Sequence, residues 1–381
     1  MNSVGRAEPV PFIDLAEQLR TIRHDIDAAI ARVLDHGRFI MGPEVAELEQ
    51  RLAEFCGARH VVTCANGTDA LVLALRALGV GPGDTVIVPS FTFCATAEAV
   101  CLVGATPLFV DVLEDTYNMD PASLEAGIAR ARELGLRLRA VITVDLFGQP
   151  CDYDAIEPLV RENGLALVCD AAQAFGAEYR GRKVGTIGDI TTTSFFPAKP
   201  LGCYGDGGAV FTDDEATAAL LRSLRVHGQG ADKYDNVRIG TNSRLDTLQA
   251  AILLQKLAIY PDEIEARNRV AEAYSRYLEG LVGLPTVIDG ARSVWAQYTI
   301  RTADRDRVAE RLHAAGIPTQ IYYRVPLHLQ PAYREFPRAG ELDISEMLGR
   351  TVLSLPMHPR LETAVAERVA ETFAADVLEA R

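Results

Sequence analysis

The chain is short of positive charge and of long apolar runs. Its 381 residues include 38 lysines and arginines against 52 acidic residues, a formal net charge of −14 at pH 7. Nucleic acids and anionic membrane surfaces bind basic faces, so this balance argues against both partners. No apolar run approaches the ~20 residues of a membrane-spanning helix, and MNSVGRAEPVPF at the start has no apolar segment typical of secretory signals. We therefore expect a cytoplasmic protein.

The sequence also lacks the spacings that mark disulfide frameworks and metal sites. Its seven cysteines include no C-x-x-C pair, and several lie in apolar runs such as LALVCDAA, where a reduced thiol behaves as a small hydrophobic group. The seven histidines include no H-x-x-x-H pair and no spacing with cysteine or aspartate that suggests metal ligands. We expect reduced cysteines, as in the cytoplasm, and no bound metal.

What the chain does contain is an alternation of short apolar strands and helical segments. Two amphipathic helices come first, one over about 15–36 and one beginning at Pro43. Six later runs are typical of buried strands: HVVTCA, TVIVPS, TPLFVDV, AVITVDLFG, LALVCDAA and AVFTD. Helix-period segments such as TDALVLALRALG separate most of them. This order predicts an α/β domain with a mainly parallel sheet and helices on both faces.

The pattern changes near residue 245. A long helical stretch is followed by the strand-like QYTIR, a helix near 305–315 and a final helix near 362–379. We predict a large domain over 1–245 and a smaller C-terminal α+β domain over 246–381.

Two of the predicted strands end in residues that could bind a ligand. Ligands of open parallel sheets collect at the carboxyl ends of the strands. The first strand leads into Asn66, Gly67 and Thr68 and then a helix, which suits either an anion site or an ordinary helix cap. Another strand ends at Asp170, a buried carboxylate that needs a cationic partner or a capping role.

A third strand end carries a lysine in an unusual setting. In SFFPAKPLGCYGDGG, Lys199 lies between Pro197 and Pro200, which exclude a helix or a central strand and predict a stiffened loop. Most lysines are solvated surface groups, but a constrained amine can act in covalent catalysis. The glycines that follow do not form a nucleotide P-loop, because G-K-[ST] is missing. An anion site, a buried carboxylate and a constrained amine are together what pyridoxal 5′-phosphate (PLP) requires.

Seven stretches are informative together: NGTDAL, PSFTFCATAEAV, DTYNMD, DAAQAFGA, SFFPAKPLGCYGDGG, NSRLDTLQAAIL and LPMHP. In this order they resemble the DegT/StrS family of sugar aminotransferases, which have the fold-type I, aspartate-aminotransferase-like architecture. The resemblance extends from about residue 10 to the C-terminus. Within the family, the chain is most similar to bacterial aminotransferases that act on UDP-2-acetamido-2-deoxy-3-oxo-glucuronate.

The resemblance implies a role for each candidate at the strand ends. Lys199 would bind PLP covalently and move the proton between the substrate carbon and the cofactor. Asp170 would keep the pyridine nitrogen protonated, and Gln173 would hydrogen-bond the phenolic oxygen. Phe93 would stack on the ring face. The phosphate would be bound by Gly67, Thr68, Asp69 and Ser194.

Further residues are implied in subunit contact and in sugar binding. Family sites lie at a dimer interface, so Asn242 would reach the phosphate held by the second subunit of a homodimer. Arg244 would bind a carboxylate, either of a sugar uronate or of the amino donor, or would form an interface ion pair. Tyr323 and His328 match the stretch that lines the sugar site, where the family commonly has Tyr-Pro and this chain has Tyr323-Arg324.

The implied reaction moves an amino group from L-glutamate to a keto group of a nucleotide-linked sugar. The favoured target is carbon 3 of UDP-2-acetamido-2-deoxy-3-oxo-glucuronate, in the synthesis of an amino sugar for surface polysaccharide. Another nucleotide keto-sugar, such as a dTDP- or UDP-linked 4-keto- or 3-keto-6-deoxyhexose of an antibiotic or glycan pathway, is the alternative. A sugar dehydratase of this fold usually carries histidine in place of Lys199, and a non-catalytic regulator should have lost Lys199 or Asp170; this chain has both. The keto carbon, the nucleotide and the pathway stay open.

Overall fold

A computed structural model of the chain describes residues 10–232 and 234–379, and from residue 374 onward it describes the backbone alone. The prediction that the N-terminus has no secretory signal concerns mainly residues 1–9, which lie outside the described residues. The helices are α1 (Leu15–His36), α2 (Pro43–Cys56), α3 (Gly67–Ala77), α4 (Ala95–Leu102), α5 (Pro121–Glu133), α6 (Tyr153–Glu162), α7 (Glu215–Leu224), α8 (Thr247–Leu278), α9 (Arg305–Ala314), α10 (Asp343–Thr351) and α11 (Ala364–Glu379).

The strands are shorter and lie mostly in the first two thirds of the chain. They are β1 (His60–Cys64), β2 (Asp84–Pro89), β3 (Thr106–Val110), β4 (Arg137–Val144), β5 (Ala166–Asp170), β6 (Glu178–Tyr179), β7 (Arg182–Lys183), β8 (Ile190–Ser194), β9 (Gly208–Thr212), β10 (Ala291–Arg292), β11 (Tyr298–Arg301) and β12 (Val352–Leu355). Short 3₁₀ turns occupy Leu146–Gly148 and Leu327–Leu329. The six predicted strands and the two N-terminal helices all form.

The main sheet within the described ranges has seven strands in the order β1-β9-β8-β5-β4-β2-β3. The pairs from β8 to β3 are parallel, whereas β9 is antiparallel to both of its neighbours, β8 and β1. Strand β1 therefore points the same way as the parallel strands, and its carboxyl end lies at the same edge. The predicted α/β class with a mainly parallel sheet is confirmed.

Alternating side chains of the strands pack into two apolar layers, one on each face of the sheet. In β1, Val61 lies in one layer and Val62 in the other. Helices α2, α5, α6 and part of α8 cover the first face, and α3, α4 and α7 cover the second. These helices fix the strand ends that carry the candidate site.

Helix α8 joins the main sheet to the C-terminal part of the chain. Leu253 and Tyr260 in its first half pack under the sheet, while Tyr274 and Leu278 in its last turns pack with β11, β12 and α11. The predicted boundary after residue 245 precedes this helix and stays a prediction. No described helix combines the length and apolarity that a membrane span requires.

Candidate active site

Three strand ends meet at the carboxyl edge of the main sheet. Gly208 of β9 pairs with Cys64 at the end of β1 on one side and with Ser194 at the end of β8 on the other. Asp170 at the end of β5 pairs with Thr192 of β8. The turn after β1 (residues 66–69, the anion turn), the loop between β8 and β9 (residues 195–207, the lysine loop) and Asp170 therefore lie at one edge of four adjacent strands, β1-β9-β8-β5.

The turn after β1 caps helix α3 and also presents backbone N–H groups that could bind an anion. The Asn66 Oδ1 accepts a hydrogen bond from the Asp69 N–H at 2.8 Å and so caps α3. The N–H groups of Gly67 and Thr68 donate to no acceptor within the described ranges. A Cβ on Gly67 would lie 2.7 Å from the Ser194 Cβ, so only glycine permits this close approach. Free N–H groups at a helix start bind phosphate well.

Lys199 lies on the loop that joins β8 to β9. Its backbone N–H donates to the Phe196 carbonyl at 2.8 Å, and its side chain is half-buried. Burial lowers the pKa of the Lys199 amine, and the negative charge of Asp170 opposes this shift. The amine is therefore more often neutral, and more nucleophilic, than that of a surface lysine.

Asp170 is 6% exposed and is only partly compensated by the groups around it. Its Oδ1 accepts from the Ala172 N–H at 3.1 Å and its Oδ2 from the Thr96 hydroxyl at 3.3 Å. Burial raises the pKa of the Asp170 carboxyl, while the Ala172 bond, the Lys199 charge and the Thr96 bond lower it. A cationic ring nitrogen would stabilise the ionised carboxylate further.

Gln173, Tyr323 and Phe93 form one wall of the site. The Gln173 Oε1 accepts from the Phe147 N–H at 2.8 Å, and its Nε2 donates to the Tyr323 hydroxyl at 3.2 Å. The Phe93 and Tyr323 ring centroids are 6.2 Å apart. Phe93 is 52% exposed, so a large part of its ring is open to a ligand.

His328 is buried behind this wall, at 4% exposure. Its Nδ1 lies 2.6 Å from the Ser90 Oγ, and its Nε2 lies 3.3 Å from the Glu346 Oε1. Ser90 follows β2 directly and Glu346 lies on α10, so His328 ties the segment after Tyr323 to both elements. A direct contact of His328 with the sugar stays a prediction.

Asn242 and Arg244 lie on the segment that leads into α8. The exposed Asn242 side chain makes no hydrogen bond within the part of the chain that the structure describes. Between them, the buried Ser243 Oγ accepts from the Ala65 N–H at 3.2 Å, which holds this segment beside the anion turn. The Arg244 guanidinium is half-buried and has no ion pair among the described residues, and its Nε is buried without an acceptor. Arg324 instead lies 3.8 Å from the Asp306 carboxylate and is largely exposed.

Some supporting residues carry no signal in the sequence. Thr96 and Glu346 are ordinary helix residues whose partners are distant in the chain. Ser90 stands at a strand end, as Asp170 and Ser194 do, and that position could have identified it.

The residues present fit PLP. A half-buried amine of lowered pKa lies within the electrostatic range of a buried carboxylate. The neighbouring turn offers unpaired N–H groups for a phosphate, and an open aromatic face lies on the wall.

Comparisons with known proteins agree with this geometry. The family model described as the DegT/DnrJ/EryC1/StrS aminotransferase family matches residues 20–374. The UDP-2-acetamido-2-deoxy-3-oxo-D-glucuronate aminotransferase of Pseudomonas aeruginosa is 49% identical over 356 residues, 93% of this chain and 97% of that protein. The dTDP-3-amino-3,4,6-trideoxy-alpha-D-glucose transaminase of Streptomyces venezuelae is 45% identical, over 97% of this chain and 96% of that protein.

The solved structures agree as well. The crystal structure of a DegT DnrJ EryC1 StrS aminotransferase from Brucella abortus matches with a TM-score of 0.94 and 51% identity, covering 96% of this chain and 99% of that one. The resemblance to the DegT/StrS family and the assignment of PLP are thus confirmed. The chain belongs to the DegT/DnrJ/EryC1/StrS aminotransferase family and is a PLP-dependent sugar aminotransferase.

Proposed function

We propose that this enzyme transfers an amino group from L-glutamate to carbon 3 of UDP-2-acetamido-2-deoxy-3-oxo-glucuronate, for an amino sugar of a surface polysaccharide. The observation that most supports a uronate substrate is the Arg244 guanidinium, which is half-buried and unpaired within the described ranges. A guanidinium binds a carboxylate through two parallel, charge-assisted hydrogen bonds. The Pseudomonas aeruginosa relative, named for this substrate, supports the same choice.

The chain's own residues would divide the work as follows. PLP, when bound, supplies an electron-accepting ring that carries the amino group between donor and acceptor. Lys199 would hold the cofactor and move a proton at the reacting substrate carbon, while Asp170 would hold the proton on the ring nitrogen. The turn at 66–69 and Ser194 would bind the phosphate, and Gln173 and Phe93 would orient the ring.

A neutral nucleotide keto-sugar is the second candidate substrate, because the 45% identical Streptomyces venezuelae relative is named for a dTDP-linked trideoxyglucose. The two candidates can be separated by a panel of UDP- and dTDP-linked 3-keto- and 4-keto-sugars, each incubated with enzyme and glutamate. We expect the UDP-linked 3-oxo-uronate to be turned over fastest. Turnover is measured as the amount of amino sugar product detected by mass spectrometry. Fastest turnover of a neutral sugar would reject the uronate assignment.

Arg244→Ala is expected to weaken the uronate substrate far more than its neutral analogue, which has a hydroxymethyl group in place of the carboxylate. Losing a charge-assisted contact costs about 1.5–3 kcal/mol, or roughly 10- to more than 100-fold in affinity. The measurement is kcat/KM for both sugars. Arg324→Ala is the matched control, because that side chain is largely exposed and faces Asp306.

The glutamate half-reaction separates the two carboxylates that Arg244 could bind. It is followed by the change in cofactor absorbance when glutamate is added without sugar. Equal loss for both sugars, together with a crippled glutamate half-reaction, would show that Arg244 binds the amino donor. A selective loss in Arg324→Ala would move the uronate contact to Arg324.

We also propose that the working unit is a homodimer with shared active sites. Exposed apolar side chains flank the segment of Asn242 and suit burial against a second subunit: Phe39, Ile40, Val237 and Ile239. The bare Asn242 amide would then reach the phosphate held by the other subunit.

We expect two chains per particle in sedimentation velocity. Asn242→Ala should keep that mass but bind PLP more weakly, by about the 0.5–1.5 kcal/mol of one hydrogen bond or somewhat more for a charged acceptor. PLP titration of the cofactor-free protein measures the affinity. A fully active monomer would contradict the shared site.

A cytoplasmic location is proposed as well. All seven cysteines are free, and Cys64, Cys151, Cys169 and Cys203 are buried, which supports a reducing compartment.

A further inference from the structure

The lysine loop is closed on itself by short hydrogen bonds. At its base, the Phe195 N–H donates to the Gly207 carbonyl at 2.7 Å, and the Cys203 N–H donates to the Phe195 carbonyl at 2.7 Å. Lys199 lies at the far side of this closed loop. These bonds close the loop at its base, where it joins the paired strands β8 and β9.

A polar anchor comes from one amide on α8, beside the burial of Leu201 and Cys203 in the apolar layer under the sheet. Both backbone polar groups of Tyr204 are bound by Gln249: the Tyr204 N–H donates to Oε1 at 2.8 Å, and Nε2 donates to the Tyr204 carbonyl at 3.3 Å. A Cβ on Gly205 would lie 3.0 Å from the Gln249 Nε2, so glycine there permits the close approach. The Gln249 side chain thus pairs with the loop as a neighbouring strand would.

A second contact from the same helix holds the Tyr204 side chain. The Lys256 ammonium, two turns further along α8, lies 4.9 Å from the centroid of the Tyr204 ring. Lys256 is 2% exposed, so this cation–π contact is shielded from water. Tyr204 is therefore held by α8 through its backbone and its ring.

Helix α8 is also the element that the Arg244 segment enters. Asn242 and Arg244 precede its first residue, Thr247, by a few positions, and Ser243 is bonded to Ala65 beside the anion turn. Anchoring the lysine loop to α8 therefore relates the position of the amine to the groups proposed to bind phosphate and carboxylate.

We propose that Gln249 is a positioning residue for amino transfer: by holding Tyr204, it sets where Lys199 stands relative to Asp170 and Arg244. This inference rests on the proposed role of Lys199. Misplacing a reacting group by about 1 Å can slow a reaction by roughly 100-fold. A shifted amine would also lie at a different distance from the Asp170 carboxylate, whose charge opposes the effect of burial on the pKa of the amine.

The test compares Gln249→Leu and Gln249→Glu with Gln255→Leu in the PLP-loaded enzyme. Gln255 is a half-buried glutamine of the same helix that donates to the Ala251 carbonyl, and among the described residues it makes no hydrogen bond to the loop. The readouts are kcat and KM for glutamate, and the pH at which the absorbance of bound PLP changes. Gln249→Glu keeps the acceptor for the Tyr204 N–H but loses the donor to its carbonyl, so it also serves if the leucine variant fails to fold.

We expect Gln249→Leu to lower kcat by about 10- to 100-fold and to move the midpoint of the absorbance titration, with a smaller change in KM. Gln249→Glu should fall between it and the wild type, and Gln255→Leu should match the wild type. Unchanged kcat and midpoint in both Gln249 variants, or equal changes in Gln255→Leu, would overturn the proposal.

Borohydride reduction of the wild-type enzyme, followed by peptide mapping, separates the two levels of the argument. A label on Lys199 with unaffected Gln249 variants would refute the positioning role alone. A label on another lysine would refute the proposed role of Lys199 and the positioning role with it.

Discussion

Lys199→Ala is expected to abolish amino transfer and the covalent attachment of PLP. In the proposed mechanism the amine provides both the covalent link and the proton transfer, and general acid–base catalysis alone contributes about 10²- to 10⁴-fold. We therefore expect turnover to fall by more than about 10⁴-fold. Because burial already disfavours the charged Lys199 amine, its removal should leave the fold intact. Steady-state kinetics, borohydride reduction and circular dichroism measure the three effects.

Lys183→Ala is the matched control for this variant. Lys183 lies on β7, with its ammonium 4.1 Å from the centroid of the Phe55 ring, on the apolar layer under the sheet. The Lys183→Ala variant should keep wild-type turnover and a covalent link to PLP that borohydride reduces. Recovery of the labelled peptide around Lys183 instead of Lys199 would refute the assignment of Lys199 as the residue that binds PLP covalently.

Asp170→Asn should bind PLP and lose nearly all of its activity. Asparagine keeps an acceptor for the Ala172 N–H, and the Thr96 hydroxyl can turn to accept from the new amide, so the site should stay folded. The variant loses the negative charge that we propose holds a proton on the ring nitrogen. Such preorganised electrostatic contributions are worth about 3–4 kcal/mol, or roughly 10²- to 10³-fold in kcat.

The control for Asp170→Asn is Asp189→Asn, at a residue that directly precedes β8 and is bonded to the start of β5. The Asp189 Oδ2 accepts from the Leu167 N–H at 2.8 Å, near the start of β5 and away from the candidate site. Asp189→Asn should change stability slightly and kcat not at all. Near-normal kcat in Asp170→Asn would mean that another group holds the ring proton.

The elements that could be predicted from the sequence are those with a strong period. The continuous apolar run around Val168 is typical of a central strand that is buried on both faces, and Pro43 marks the start of α2. Strands β6, β7 and β10 have two residues each, which is too short for any period to show. The antiparallel direction of β9 was also outside what an apolar run can indicate, because direction depends on the partners.

The residues of the candidate site also fall into those that the sequence could identify and those that it could not. Asp170 and Gly67 lie at strand ends and Lys199 lies between two prolines. At such positions a buried carboxylate, a glycine or a constrained amine indicates a ligand site. Gln249 and Glu346 are polar residues within helices, indistinguishable in sequence from solvated surface positions. Their meaning comes from partners such as Tyr204 and His328, which only the folded chain brings near.

The place of β1 in the sheet has a consequence for how the chain is made. Strand β1 lies at one edge and is hydrogen-bonded to β9, whose residues follow the lysine loop in the sequence. During synthesis from the N-terminus, β1 therefore has no paired strand until residues 208–212 of β9 have left the ribosome. An unpaired apolar strand of this kind invites pairing with other chains. Nascent chains interrupted before residue 208 would consequently carry an aggregation-prone strand, and the turn at 66–69 would lack the sheet pairing that precedes it.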